Sequence, residues 1–547
     1  MTSPQTVSRD AIVIGGGHNG LVCAFYLAAA GLAVTLLERR AIVGGAAVTE
    51  EFHPGFRNST ASYTVSLLNP KIIRDLDLTA HGLRIVERRL QNFLPLEDGR
   101  YLKAGPGRTK AEVAKFSPRD AERLDAFGAT LDVMADTLRT MVLETPPNVV
   151  AHGGWATLRE ALRLVTRVVR PLGRLDMAAR RDLVALFDQS AGALLDYWFE
   201  SDPIKALFGF DAIVGNYASP YTPGSAYVQL HHAFGEVNGK KGTWGHAIGG
   251  MGAITQAMAQ AAAARGADIR LASPVREVVI ERGRAVGAVT EAGAQFRAPI
   301  VVANLNPKLL FQTLVDAAAL PEDFRARIAQ WRCGSGTFRI NVALSALPSF
   351  ACLPGADVAE HHTAGIIIAP SLRYMDKAYD DARANGWSAR PIVELLIPSS
   401  LDDTLAPPGR HVASLFCQHV APVLPDGASW ADRRDAVARH MIQAVDDYAP
   451  GFARSVIGMA ALTPQDLEDT FGLIGGDIFH GALSLGQMFS ARPVLGHADY
   501  RSPVPGLYMC GSGTHPGGGV TGAPGHNAAR EILRDVRRRR RFGRRRR

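Results

Sequence analysis

Nowhere in these 547 residues do two cysteines stand at CxxC or CxxxxC spacing; the five are Cys23, Cys333, Cys352, Cys417 and Cys510. This excludes a thioredoxin-type dithiol, a disulfide-reductase pair and a cysteine-rich zinc site. The scattered thiols predict a reducing, cytoplasmic compartment. No stretch approaches roughly 18 uninterrupted apolar residues, so no spanning helix is expected. Met1 to Asp10 are too short and too polar for a signal peptide. Aromatic residues are few at 7 % and charged residues make up 20 %, against an ordinary 47 % hydrophobic share. A disordered chain, a collagen and a disulfide-stapled mini-protein are therefore excluded. Glycine, in contrast, is abundant at 55 residues. The length allows about three domains or one large interlaced enzyme.

The net charge of +8 is unevenly placed. Residues 534–547 hold ten Arg and one Asp, a formal +9, so the rest of the chain sums to −1. A neutral body argues against a surface that coats nucleic acid. The tail, Arg537 to Arg541 and Arg544 to Arg547, reads as a solvated, disordered segment or as an attachment to anionic lipid or nucleic acid. A second amphipathic feature lies earlier. Trp155, Leu158, Leu162, Val165 and Val169 share one helical face, with Arg159, Arg163, Arg167 and Arg170 on the other. It reads either as an ordinary surface helix or as a helix that docks on an anionic membrane.

The chain opens with an apolar run, Asp10 to Ile14, that ends in Gly15-Gly16-Gly17-His18-Asn19-Gly20. A helical pattern follows to Gly31, and a second apolar run, Ala33 to Leu37, closes with Glu38. Strand, tight turn, helix and strand within about 30 residues form a dinucleotide-binding unit. Gly15 permits the turn, Gly17 lets backbone approach a pyrophosphate, and Gly20 lets helix and strand pack closely. The helix N-terminus offers free N–H groups to the anion, and Glu38 is placed to accept from both ribose hydroxyls.

Further on, Ser117-Pro118 predicts a helix start with a Ser cap, and Pro146-Pro147 a stop. Helices are expected over 111–210 and at 250–265. Short strands are expected near 269–271, 275–280, 285–289 and 298–303, then near 337–345, 365–369, 392–397 and 411–417. Ser429 and Asp432 form a capping-box-like start for a helix to Tyr448. Residues 506–535 predict a last strand, a glycine-rich turn and a final helix that starts at Gly519-Val520-Thr521. A cofactor held by motifs at both chain ends must be long, which fits FAD better than NAD.

The segments "AIVIGGGHNGLVCAFYLAAAGLAVTLLERRAIVGGAA", "FESDPIKALFGFDAIVGNYASPYTPGSAYVQLHHAFGEVNGKKGTWGHAIGGMGAITQA" and "GLYMCGSGTHPGGGVTGAPGHNAAREI" resemble the phytoene-desaturase-like flavoproteins of the amine-oxidase/glutathione-reductase structural class. The resemblance covers nearly the whole chain. It implies Gly15, Gly17, His18, Asn19 and Gly20 at the pyrophosphate turn and Glu38 on the ribose. It implies Arg39, Gly45 and Ala46 in the following cofactor loop, and Val275 on the strand beside the adenine. Gly511, Gly513, Thr514, Gly519, Val520 and Thr521 would lie near the flavin end. No metal site is expected.

The middle block carries Tyr217, Tyr221, Tyr227, His231, His232, Glu236 and Trp244. In a flavin dehydrogenase, N5 takes a hydride and a neighbouring proton must also leave. His231 or His232 would accept it; the alternative is that both satisfy backbone groups at a domain junction. His515 is placed to do the same beside the flavin-end glycines, or is a turn residue before Pro516.

The expected architecture is α/β. A discontinuous Rossmann-like FAD domain takes 1–75, 246–310 and 490–547, a mixed-sheet substrate domain takes 76–110, 211–245 and 311–489, and a helical subdomain takes 111–210. The expected function is FAD-dependent dehydrogenation or oxidation of an apolar small molecule, with a terpenoid or carotenoid-like substrate implied by the resemblance. Oxygen, quinone and nicotinamide are the acceptor classes in view. One alternative is an amine-oxidase-type flavin oxidase, whose sign would be aromatic residues around the flavin face. Another is a flavin-stabilised interaction protein with vestigial activity.

Overall fold

The computed structural model describes residues 6–150 and 154–545. Arg546 and Arg547 lie outside the described residues, as do the side chains of Trp155, Arg159, Arg544 and Arg545.

Five short runs form one sheet in the order Asp268–Arg270, Val34–Leu37, Ala11–Ile14, Val301–Ala303, Leu507–Met509, all parallel. The central strands read AIVI, VTLL and VVA because a parallel sheet is buried on both faces. Their residues alternate between two cores. Ala11 and Val13 face the helices His18–Ala29, Met251–Ala264 and Ala523–Arg545. Ile12 and Ile14 face an antiparallel meander of Val275–Glu281, Arg284–Thr290 and Gln295–Arg297. Gly31 ends the first helix with φ +82°, the left-handed cap expected there. Gly525 lets the last helix touch the first, since a Cβ there would lie 2.1 Å from the Asn19 carbonyl.

A second sheet has seven strands in the order Val456–Leu462, Phe338–Leu344, His411–Val420, Trp387–Leu396, Gly365–Ile368, Asn92–Pro95, Tyr101–Ala104. It is mixed, because Gly365–Ile368 pairs in parallel with Asn92–Pro95 and the other pairs are antiparallel. Helix Trp430–Asp446 covers one face, and helices Asp202–Ile213 and Leu372–Asn385 the other. Ser117 caps Pro118–Val142 as expected, accepting from Asp120 N–H at 3.0 Å. Helices continue past 210 to His232.

Three local expectations change. Ser429 caps its helix through Ala431 N–H, but the reciprocal box forms elsewhere, between Thr463 and Asp466. The final helix begins at Ala523, not at Gly519-Val520-Thr521, because the positive φ of Gly519 and Gly522 interrupts helical geometry and Thr521 Oγ1 accepts from Ala523 N–H. That helix runs to Arg545, so Arg537 to Arg541 are an exposed helical extension rather than a disordered tail. Arginine is a good helix former, and no stop residue intervenes before Gly543.

Candidate functional site

The turn after Ala11–Ile14 is built as its glycines require. Gly15 has φ +98°, and a Cβ there would meet the Asn304 carbonyl at 2.8 Å. A Cβ on Gly20 would lie 2.1 Å from the Gly15 carbonyl, and one on Gly17 2.9 Å from Asn304 Nδ2. The Glu38 carboxylate closes the turn from below, accepting from Gly16 N–H at 2.6 Å and Arg40 N–H at 2.8 Å. Each of its oxygens keeps a second lone pair for a hydroxyl.

Gly15, Gly17, Glu38 and Arg40 line an outer cavity of about 1350 Å³, together with His18, Asn19, Arg39, Gly45, Ala46, Val275 and Asn304, whereas Gly20 lies behind the turn as a packing glycine. Arg39 also donates to the Asp469 carbonyl at 2.9 Å, tying this wall to the chain around 470. His18, Ala46, Leu473, His480 and Ser512 are shared with an inner cavity of about 1000 Å³, so the two form one long slot. Asn19 Nδ2 donates to Ser512 Oγ at 3.1 Å, while Asn19 Oδ1 and His18 Nε2 are buried without a partner. A glycine cradle at one end, orphaned polar atoms at the middle and an apolar chamber at the other fit an elongated dinucleotide such as FAD.

The closing loop contributes differently from residue to residue. Ser512 faces both cavities, and Gly519 and Val520 line the inner one. Thr521 faces a neighbouring cavity. Gly511 and Gly513 instead let the loop lie against Asn304 and Pro307, where Cβ atoms would meet neighbours at 3.1 and 2.4 Å. Thr514 turns inward, donating to the Gly511 carbonyl at 2.7 Å. Ser512, His480 and Asn304 were not singled out in the sequence, since no local pattern marks them.

The structure separates the two adjacent histidines. His232 lines the inner cavity; its Nδ1–H donates to the Val228 carbonyl at 3.0 Å, and its ring lies nearly parallel to Trp244, 6.4 Å between centroids. Burial lowers its pKa. His231 faces the neighbouring cavity beside Arg139, Tyr227 and Glu236, and burial drives its pKa down to about 3. His515 lies on the far side of that cavity, donating from Nε2 to the Met141 carbonyl at 3.0 Å.

Tyr63, Trp244, Phe416 and Phe479 give the inner cavity its aromatic walls. Behind them sits a buried charge cluster. Tyr63 Oη donates to Glu394 at 2.5 Å, and the Arg339 guanidinium lies 4.5 Å from the Tyr63 ring centroid and 5.7 Å from that of Phe416. Arg88 lies 5.9 Å from the Trp244 centroid and donates to Thr64. Burial, reinforced by Glu394, pushes the nearby Asp211 carboxyl up to about 8, so it carries a proton at neutral pH. The walls are thus backed by two guanidinium groups against one carboxylate. Among the described residues no Asp or Glu lines the inner cavity.

Residues 20–340 match the profile of the flavin containing amine oxidoreductases. The chain belongs to that family. It is 42 % identical to pyridine nucleotide-disulfide oxidoreductase domain-containing protein 2 of Rattus norvegicus, over 96 % of this chain and 94 % of that protein. It is 25 % identical to a subunit of the limonene dehydrogenase of Castellaniella defragrans, over 96 % and 95 %. It is 24 % identical to a lycopene-forming phytoene desaturase of Pseudescherichia vulneris, over 94 % and 96 %. A solved putrescine oxidase variant shares the fold with a TM-score of 0.59 at 17 % identity, covering 98 % of this chain and all of that one. The cofactor of this family member is a flavin. All five thiols are free.

Proposed function

We propose that this flavoprotein dehydrogenates or oxidises an uncharged, apolar small molecule of the terpenoid or carotenoid kind. The carrying observation is the charge behind the inner cavity. Arg339 and Arg88 stand at the backs of Tyr63, Phe416 and Trp244, and no carboxylate lines the cavity among the described residues. A protonated amine would enter a low-dielectric chamber whose nearest buried charge is net positive. An uncharged hydrocarbon meets no such penalty and is held by the aromatic faces. The names of two relatives, a limonene dehydrogenase and a phytoene desaturase, point the same way.

When bound, FAD supplies the hydride acceptor at N5. The chain's own residues exclude water, orient the substrate between Tyr63, Phe416 and Trp244, and receive the proton lost from the neighbouring carbon. The Nδ1–H of His232 is given to Val228 and the ring also meets the backbone of Asp211, so proton acceptance at Nε2 requires that second contact to yield. That nitrogen is the proton acceptor in this reading. Amine oxidation is the second reading, favoured by the aromatic walls themselves.

Anaerobic mixing tests the choice. Unsaturated hydrocarbons are expected to bleach the flavin spectrum, and protonated primary amines are not. Bleaching by amines alone would overturn the proposal, and a flavin that no substrate reduces would favour the interaction-protein reading. Reoxidation by oxygen or by a quinone then identifies the acceptor.

A further inference from the structure

An ordinary surface helix hides its apolar side. The stretch Gly154–Leu164 and its π-helical continuation Val165–Val169 do the reverse. Leu158 and Leu162 are 60 % and 63 % exposed, and Val165 and Val169 complete the same row in solvent. Part of the charged side is turned inward: Glu160 is 6 % exposed and pairs with Arg163 at 2.6 Å, while Arg167 pairs with Glu144 at 2.9 Å. Such inversion leaves an apolar ridge that no described residue covers.

Two further features converge on this ridge. The first is an apolar cavity of about 920 Å³, lined by Leu138, Met141, Leu164, Leu183 and Phe187, with Val184 70 % exposed at its mouth. His515, Phe489 and Leu138 separate it from the cavity of His231, which in turn meets the inner cavity at Leu67 and Leu68. The second is the arginine helix. Its root is fixed against the same block: Thr145 donates to Glu531 at 2.7 Å, and Arg530 lies 3.6 Å from Glu144. From there it carries Arg537 to Arg541 out as an exposed cationic rod.

We propose that this face docks on an anionic lipid bilayer, the Leu158–Val169 ridge entering the interface and the C-terminal arginines meeting lipid phosphates. Charge complementarity selects the occupant: an exposed apolar ridge and a five-arginine helix rooted against the same block match a surface that is apolar beneath and anionic above. Among the described residues no helix is long and apolar enough to cross a membrane, so the contact is interfacial. Resting on the reading of an apolar substrate, the cavity behind Val184 then opens toward lipid and is the port through which that substrate arrives.

The test is cosedimentation of the flavin-loaded full chain with vesicles of phosphatidylcholine alone or mixed with phosphatidylglycerol, at low and high salt. The parent is expected to pellet with the mixed vesicles. Replacing Arg537 to Arg541 by Gln is expected to weaken that binding about tenfold or more at low salt. Leu158→Ser with Leu162→Ser is expected to remove the part that survives high salt. Neither variant touches the flavin cavities, so flavin content is expected to stay unchanged and reports on folding. Failure of the parent to bind mixed vesicles, or equal binding to neutral ones by parent and both variants, overturns the proposal. So does ultracentrifugation showing a dimer that the serine variant dissociates without any vesicle binding, which reassigns the ridge to self-association. Flavin reduction by detergent-dispersed substrate, measured on the same samples, reports separately on the chemistry.

Discussion

Glu38 accepts the backbone N–H of Gly16 at 2.6 Å, joining the end of one parallel strand to the turn that follows its neighbour. The carboxylate therefore shapes the phosphate turn as well as facing the cavity. Glu38→Ala is expected to weaken FAD binding by roughly 1–3 kcal/mol, about 5- to 150-fold, for two lost hydrogen bonds. Gly17→Val is expected to abolish binding, because its Cβ would already crowd Asn304 Nδ2 at 2.9 Å. Titrating the flavin-free variants with FAD and following fluorescence quenching checks both. Equal losses would trace the first effect to misfolding rather than to contact.

The flavin is expected to be noncovalent. Cys510, the cysteine nearest the closing glycine loop, is fully buried at the end of its strand and its thiol is raised well above the ordinary value by burial. Acid precipitation should leave the yellow colour in the supernatant; colour in the pellet refutes this.

Stability should decline in acid. Burial holds His231 and His480 at about 3, against 6.5 for a free imidazole. Between those values the unfolded chain binds more protons than the folded one. Stability is therefore full above about pH 6.5 and falls as the pH drops, by roughly 2 kcal/mol per histidine at pH 5. Chemical denaturation at pH 8, 6 and 5 measures the slope, and His231→Phe should make it shallower. A stability that does not change between pH 7 and pH 5 contradicts the burial of these rings.

The charges behind the aromatic walls make a sign test possible. Arg339→Met removes one guanidinium and leaves Arg88 to balance Glu394. At an effective dielectric of about 20, one charge roughly 8 Å away contributes about 2 kcal/mol. Primary amines should therefore inhibit this variant at least about tenfold more strongly than the parent. Glu394→Gln moves the balance the other way and is expected to cost about 3–5 kcal/mol of stability, since two buried cations lose their counter-charge. Amine affinity that ignores both changes would remove the electrostatic basis of the substrate proposal.

His232→Gln keeps a polar group of similar reach but no basic nitrogen. The reduction step under anaerobic stopped flow is expected to slow by about 10²–10⁴-fold, with flavin content unchanged. A His232→Gln enzyme that reduces its flavin at the parent rate would assign the proton to another acceptor.

The local part of this architecture was legible in the residues. Asp10 to Glu38 is one continuous strand–turn–helix–strand, and each step has its own signal: an apolar run, three glycines, a 3.6-residue period, an acidic end. The long slot was less so, because Asn304, His480 and Ser512 come from three distant passes of the chain and none bears a mark of its own. The charge cluster did leave a trace. Arg339 in "TFRINVAL" and Glu394 in "IVELLI" are charges inside otherwise apolar runs, a pattern that costs too much unless the groups meet each other. The amphipathic period of Leu158 to Val169 was visible, but periodicity gives two faces and says nothing about which one turns outward. A run of arginines reads as a solvated tail by its charge, yet the helix propensity of the same residues carries the last helix through it.

The position of Leu507–Met509 in the parallel sheet sets a timetable for biosynthesis. Val301–Ala303 leaves the ribosome with its outer edge unpaired. At about 5–20 residues per second, roughly 10–40 s pass before its neighbour is made. Throughout that interval the nascent chain displays an open parallel edge and half a nucleotide cleft, the condition under which chaperones bind and edges aggregate. Cofactor capture against the Ser512 wall can only follow synthesis of this last strand. In flavin-starved cells the burden should thus fall on chains that already carry this strand, as slow clearance of the apoprotein.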